Sequence, residues 1–99
     1  CDGLILYSYP LHPPGKPEKL RVAHFPDVAQ PMLFFQGTRD PLSRMELFDR
    51  HIRPLPNARV EILEGANHGF KGGGWDLESM VDRLAAGTTR FVAEIASAA

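Results

Sequence analysis

The sequence predicts an α/β fold, a three-stranded parallel sheet with flanking helices. Apolar runs at Leu4-Ile5-Leu6-Tyr7 and Met32-Leu33-Phe34-Phe35-Gln36, and the apolar residues Val60, Ile62 and Leu63, have the length and composition of strands, the first of them suited to burial on both faces. Segments with helical periodicity follow the second and third runs. The resulting order is strand, irregular crossover, strand, helix, strand, helix, which implies parallel strands joined by right-handed crossovers.

The first strand is bounded by Gly3 and Pro10. A chain that opens on Cys1-Asp2-Gly3 without a methionine, directly before a core strand, reads as a segment of a longer polypeptide. Residues 10–31 hold six of the nine prolines. Residues that precede proline are driven away from helix, so this stretch is expected to be an extended, turning crossover, with a helical turn or two at residues 18–24. It emerges at a strand's carboxyl end, where it would line a pocket. Gly37 ends the second strand.

Ser43 and Glu46 then have capping-box spacing, and Leu42 with Leu47 the spacing of a hydrophobic staple. Met45, Phe48 and Ile52 form one apolar face, Arg50, His51 and Arg53 suit the negative helix end, and Pro54 stops the helix. Pro56-Asn57 turns the chain into the third strand. After a glycine-rich loop, Asp76 is the expected cap of the last helix, with Trp75 and Met80 as its staple. Leu77, Met80, Val81, Leu84, Phe91, Val92 and Ile95 continue the stripe. Gly87-Thr88-Thr89 weakens helix propensity by about 1–2 kcal/mol, so a kink is expected there.

Ninety-nine residues make one small domain, enough to bury roughly two thirds of the unfolded surface. The composition is 43% hydrophobic and 23% charged, with a formal net charge of −1. That balance gives no reason to expect nucleic acid or an anionic membrane as partner. The apolar runs are far shorter than the roughly 20 residues of a membrane span, and no signal-peptide pattern is present. Cys1 is the only cysteine, so no internal disulfide forms and a cytoplasmic setting is the expectation. His12, His24, His51 and Cys1 show no ligand spacing, so neither a metal nor a cofactor is expected. Gly72-Gly73-Gly74 lacks the spacing of a phosphate loop.

Function is read from two side chains. In open parallel sheets, ligand sites lie beyond the carboxyl ends of the strands. Asp40 lies four residues past Gln36, and His68 five past Leu63. From neighbouring strands about 4.8 Å apart they can meet. An ionised aspartate that accepts from histidine Nδ1–H fixes the tautomer and stabilises the imidazolium formed when the ring takes a proton from a nucleophile. The competing role for Asp40 is helix capping, which Ser43 is expected to take over. For His68 it is a surface loop position, but Asn67-His68-Gly69-Phe70 has a glycine that permits a tight or left-handed turn.

No nucleophile is evident. Ser8, Ser43, Ser79 and Ser97 lack the G-x-S-x-G elbow, and Cys1 has no flanking glycines. In the α/β-hydrolase chain order of serine, acid, histidine, the missing serine would lie upstream of Cys1.

Gln36-Gly37-Thr38-Arg39-Asp40-Pro41 and Gly65-Ala66-Asn67-His68-Gly69-Phe70 resemble the acid and histidine motifs of the dienelactone-hydrolase-like branch of the α/β-hydrolases. Tyr9-Pro10-Leu11-His12-Pro13-Pro14-Gly15-Lys16-Pro17 is similar to a segment of a narrower family of bacterial predicted hydrolases, a testis-expressed protein and a histone-acetylating-complex subunit. The resemblance implies that residues 1–99 are the C-terminal half of the hydrolase domain, with its sixth to eighth strands and terminal helix. It implies that Asp40 and His68 are triad acid and base, that the nucleophile half is absent, and that the isolated chain is inactive. The complete protein would act on a small-molecule ester or related acyl substrate. A non-catalytic interaction module is the alternative, since some members serve as complex subunits. Either way the Leu4-to-Tyr7 strand would leave an unpaired edge, which the missing N-terminal half or a second copy is expected to cover.

Overall fold

A computed structural model describes residues 3–12 and 25–98. The expected helical turns at residues 18–24, the side chain of His24 and Cys1 lie outside the described residues. Strands β1 (Leu4–Tyr7), β2 (Met32–Gly37) and β3 (Ala58–Leu63) form a parallel sheet in the order β1-β2-β3. Register pairs Leu4 with Met32 and Met32 with Ala58. Helix α1 (Met45–His51) follows β2 and helix α2 (Leu77–Ala98) follows β3. A short 3-10 turn, Phe25–Asp27, closes the described end of the crossover. Asn57 holds that end in place, its Nδ2 donating to the carbonyls of Val28 and Gln30 at 2.8 and 2.6 Å.

Central strand β2 is buried at every position, as its unbroken apolar run demands. Alternation along it feeds two cores. Met32 and Phe34 join Leu11, Phe25, Phe48 and Ile52 on the α1 face. Leu33 and Phe35 join Leu63, Ala66, Met80 and Phe91 on the α2 face. On the first face the aromatic rings meet edge to face, Phe34 lying 5.3 Å from Phe25 and 6.0 Å from Phe48, the geometry their quadrupoles favour.

Two helix expectations are corrected. The capping box of Ser43 and Glu46 does not form: α1 starts at Met45 with Arg44 at its cap and no side-chain capping bond. The Ser43 side chain is turned inside, its hydroxyl without a partner. The cause is Asp40, which closes residues 40–43 into a turn of their own by accepting from Leu42 N–H and Ser43 N–H. Nor does Gly87-Thr88-Thr89 interrupt α2, which is continuous over its 22 residues. A Cβ at Gly87 would stand 2.8 Å from the Phe35 ring, so the weak helix former is where the helix comes too close to that ring for a side chain. Thr88 bonds the Tyr7 hydroxyl at 2.6 Å.

The cap of α2 is as expected. Asp76 Oδ1 accepts from Ser79 N–H at 2.7 Å and Ser79 Oγ accepts from Asp76 N–H at 3.1 Å, while Trp75 packs on the cluster that contains Met80. The backbone and hydroxyl of Ser79 hold the Asp76 carboxyl below its ordinary pKa.

The outer strands differ. Beside β3, Glu61 faces Arg83 and Arg90, and Arg59 faces Glu94, charges that discourage further strand pairing. In β1, Tyr7 is half exposed and stacked on Phe35; elsewhere, Leu77, Val81 and Val92 of α2 are exposed. No helix among the described residues is long and apolar enough to cross a membrane.

Candidate active site

The loops that follow β2 and β3 are stitched together at the carboxyl edge of the sheet. Thr38 N–H donates to Leu63 O and Arg39 N–H to Ala66 O. In return Gly65 N–H donates to Thr38 Oγ1 at 2.6 Å. This closeness requires Gly37, where a Cβ would stand 2.2 Å from Ala66 O.

Across this seam His68 Nδ1 lies 2.7 Å from Asp40 Oδ2. The Asp40 side chain is fully buried and that of His68 is 36% exposed. A carboxylate can only accept, so Nδ1 carries the hydrogen and Nε2 is the ring's basic atom. The other Asp40 oxygen accepts from Leu42 N–H at 2.8 Å. Asp40 therefore closes its own turn and holds the imidazole at once, one oxygen for each task. The helix-capping role weighed against this from the sequence is not taken by Asp40, since the cap position of α1 is Arg44.

His68 sits on a turn built by Asn67. Asn67 Oδ1 accepts from Gly69 N–H and Lys71 N–H, and Asn67 N–H donates to Lys71 O. The left-handed residue is Phe70, at φ 62°, and not Gly69. Of the two forms expected at Gly69, the tight turn is the one it adopts. The run Gly72 to Gly74, all at positive φ, folds the loop back against Glu64 and Gly65, with a Gly73 Cβ excluded by Glu64 O at 2.6 Å. Between this loop and the first turns of α2 lies a mostly apolar groove of about 460 Å³, lined by Phe70, Trp75, Leu77, Met80, Val81 and Leu84.

The remaining candidates are not brought to His68. Ser79 is committed to the α2 cap, and Ser97 lines a surface depression beside Arg59 and Arg90. Ser8 and Ser43 are buried. Among the described residues no serine hydroxyl bonds the His68 ring, and no three His, Cys, Asp or Glu side chains converge as metal ligands.

Sequence reasoning missed a set of buried polar groups around Asp40. Ser8, His12, Gln36, Asp40 and Ser43 are the buried polar or charged side chains of the described residues, and all occupy this end of the sheet. Gln36 Nε2 donates to Gly37 O and Ser43 O, and His12 Nε2 accepts from Arg44 N–H. Histidine inside the Tyr-Pro-Leu-His-Pro-Pro run was a visible signal, but sequence reasoning weighed it only as a metal ligand.

With this geometry established, comparison with known proteins gives a direct result. Residues 1–93 match the alpha/beta hydrolase domain. The chain belongs to the alpha/beta hydrolase family. Among curated proteins it is similar to the putative protein-lysine deacylase ABHD14B of Pongo abelii, 33% identical over 68 residues, which is 69% of this chain and 31% of that protein. The human protein of the same name is 35% identical over 51 residues, 52% of this chain and 23% of that protein. The chain thus spans less than a third of the length of these relatives. No solved structure matches it.

Proposed function

We propose that this chain supplies the acid and the base of a serine-hydrolase triad acting on an ester or related acyl substrate. Asp40 orients and His68 transfers the proton. The observation that carries this reading is the 2.7 Å contact between His68 Nδ1 and a fully buried Asp40 carboxylate at the strands' carboxyl ends. In the proposed reaction, His68 Nε2 takes the proton of a serine hydroxyl as that oxygen attacks the acyl carbon. It then returns the proton to the leaving group, while Asp40 stabilises the intervening imidazolium. Water repeats the cycle and regenerates the serine. The serine and the oxyanion donors come from upstream polypeptide, so residues 1–99 are part of a domain and inactive alone.

The acid and histidine motifs favour the dienelactone-hydrolase-like branch and esterase-type chemistry. The curated relatives carry a deacylase name, which is acyl transfer of the same class. A single cysteine favours a cytoplasmic setting.

The test compares this chain with the longer protein on a short activated ester. Activity is expected in the longer form alone, with a loss in kcat of about 10⁴-fold for Asp40→Asn and about 10⁶-fold for His68→Ala. Activity that survives His68→Ala would rule the mechanism out.

A second reading, a non-catalytic association module, draws on the β1 edge. That edge pairs with β2 alone, and Tyr7 at its end is half exposed. The upstream half of the domain or a second copy would cover it by strand addition. Inactivity of the longer form on all acyl substrates, with a concentration-dependent sedimentation profile for the short chain, would favour this second reading.

A further inference from the structure

We propose that His12 is a positioning residue for the acid–histidine pair, acting through the backbone of residues 42–44. The inference rests on the reading of Asp40 and His68 as that pair. His12 is 1% exposed, 28 residues before Asp40 in the chain, and belongs to a Tyr-Pro-Leu-His-Pro-Pro run that the triad leaves without a role. Its backbone N–H donates to Leu42 O at 3.1 Å, and its ring Nε2 accepts from Arg44 N–H at 3.3 Å. The imidazole therefore carries its hydrogen on Nδ1.

Of the two residues it grips, Leu42 lies in the Asp40 turn and Arg44 directly after it. Leu42 N–H is the donor that holds Asp40 Oδ1, and Ser43 N–H donates to Asp40 O. From the other side, Gln36 Nε2 donates to Ser43 O at 3.2 Å. Residues 42–44 are thus held between β2 and the segment after β1. That segment is itself fixed, by Ser8 N–H donating to Phe35 O and by Leu11 buried in the α1-face core.

Why a histidine should stand here follows from Arg44. It stands at the N-cap of α1 with no side-chain bond of its own, and its part-buried backbone N–H takes its acceptor from the His12 ring. An imidazole supplies one at the length the gap requires, from a ring stiff enough to fix the distance. Loss of the acceptor frees residues 42–44 to move and takes Leu42 N–H with them. Asp40 Oδ1 then has no fixed donor, and Oδ2 no fixed direction toward His68. A displacement of about 1 Å in such a constellation costs on the order of 10²-fold in rate.

The test uses the full protein that carries this chain and two readouts. One is the downfield proton resonance of His68 Nδ1–H, which reports the bond to Asp40 whether or not the protein is catalytic. The other is kcat against KM. His12→Phe keeps the ring volume and removes the acceptor. It is expected to abolish or shift the resonance and lower kcat by about ten- to a hundred-fold with KM unchanged. His12→Gln puts a carbonyl oxygen near the former Nε2 and should restore both; His12→Asn, with the shorter reach of Nδ1, should not. Should His12→Phe fail to fold, the Gln and Asn variants decide.

An unchanged resonance in His12→Phe overturns the proposal, as does its loss in a folded His12→Gln protein. Absence of the resonance in the natural protein overturns the acid–histidine pair itself. A resonance that responds as expected in a protein without esterase activity supports the brace and counts against the hydrolase reading alone.

Discussion

The interior of the sheet and its carboxyl rim are built on opposite terms. Around Leu33, Phe34 and Phe35 the side chains that pack into the two cores are apolar, and their contacts are non-directional. Around Asp40, a few residues past the end of the same strand, the buried groups are polar and each is held by a named donor or acceptor, apart from the hydroxyls of Ser8 and Ser43. Burying polar atoms contributes little net stability even when they are paired. What the rim gains is position. The comparison teaches that stability and geometry are separable here, and that substitutions can reach one without the other.

The hardest blow to the interior is Phe34→Ala. It should lower unfolding free energy by about 3–5 kcal/mol in chemical denaturation, since the ring contacts both Phe25 and Phe48. Gly37→Ala strikes the seam between the two regions. Its methyl group meets Ala66 O, so a cost of about 1–3 kcal/mol is expected, together with loss of the His68 Nδ1–H resonance in a chain that still folds. If that resonance survived, the seam would not be what joins acid to histidine.

Ser43→Ala removes a buried hydroxyl without a partner and should change stability by less than about 1 kcal/mol, in either direction. A larger loss would mean that this hydroxyl is satisfied after all. The smallest effect belongs to neither region. Asp76 has a folded pKa below its unfolded value, so its contribution is complete above the ordinary aspartate pKa and is lost as pH falls through the lowered one. Asp76→Asn keeps a capping side chain and should flatten the acid limb of a thermal-melting profile while leaving neutral pH almost unchanged.

The parts of the molecule legible in the sequence are those governed by near neighbours. Continuous apolar runs announced strands, and the spacing from Trp75 to Met80 announced the start of α2 with its cap. Asp40 and His68 were legible because each lies a few residues beyond a strand end, and parallel strands deliver such residues to one edge. The capping role assigned to Ser43 failed because Asp40 closes the turn first. Gly69 was read as permitting a tight or left-handed turn; the hydrogen bonds of Asn67 make it a tight turn and put the positive φ on Phe70. Gly87 looked like a flaw in a helix, and only the Phe35 ring explains it.

The sequence by itself determined that there would be three parallel strands, two helices and an acid and a histidine on a common edge. Periodicity and chain direction suffice for that, because they act over a few residues at a time. Tertiary structure alone decided that Asp40 serves turn and imidazole together, that Gly87 marks a close approach, and that His12 closes on Arg44. Those contacts join residues roughly 30 to 50 positions apart, and their geometry exists only once the sheet has formed.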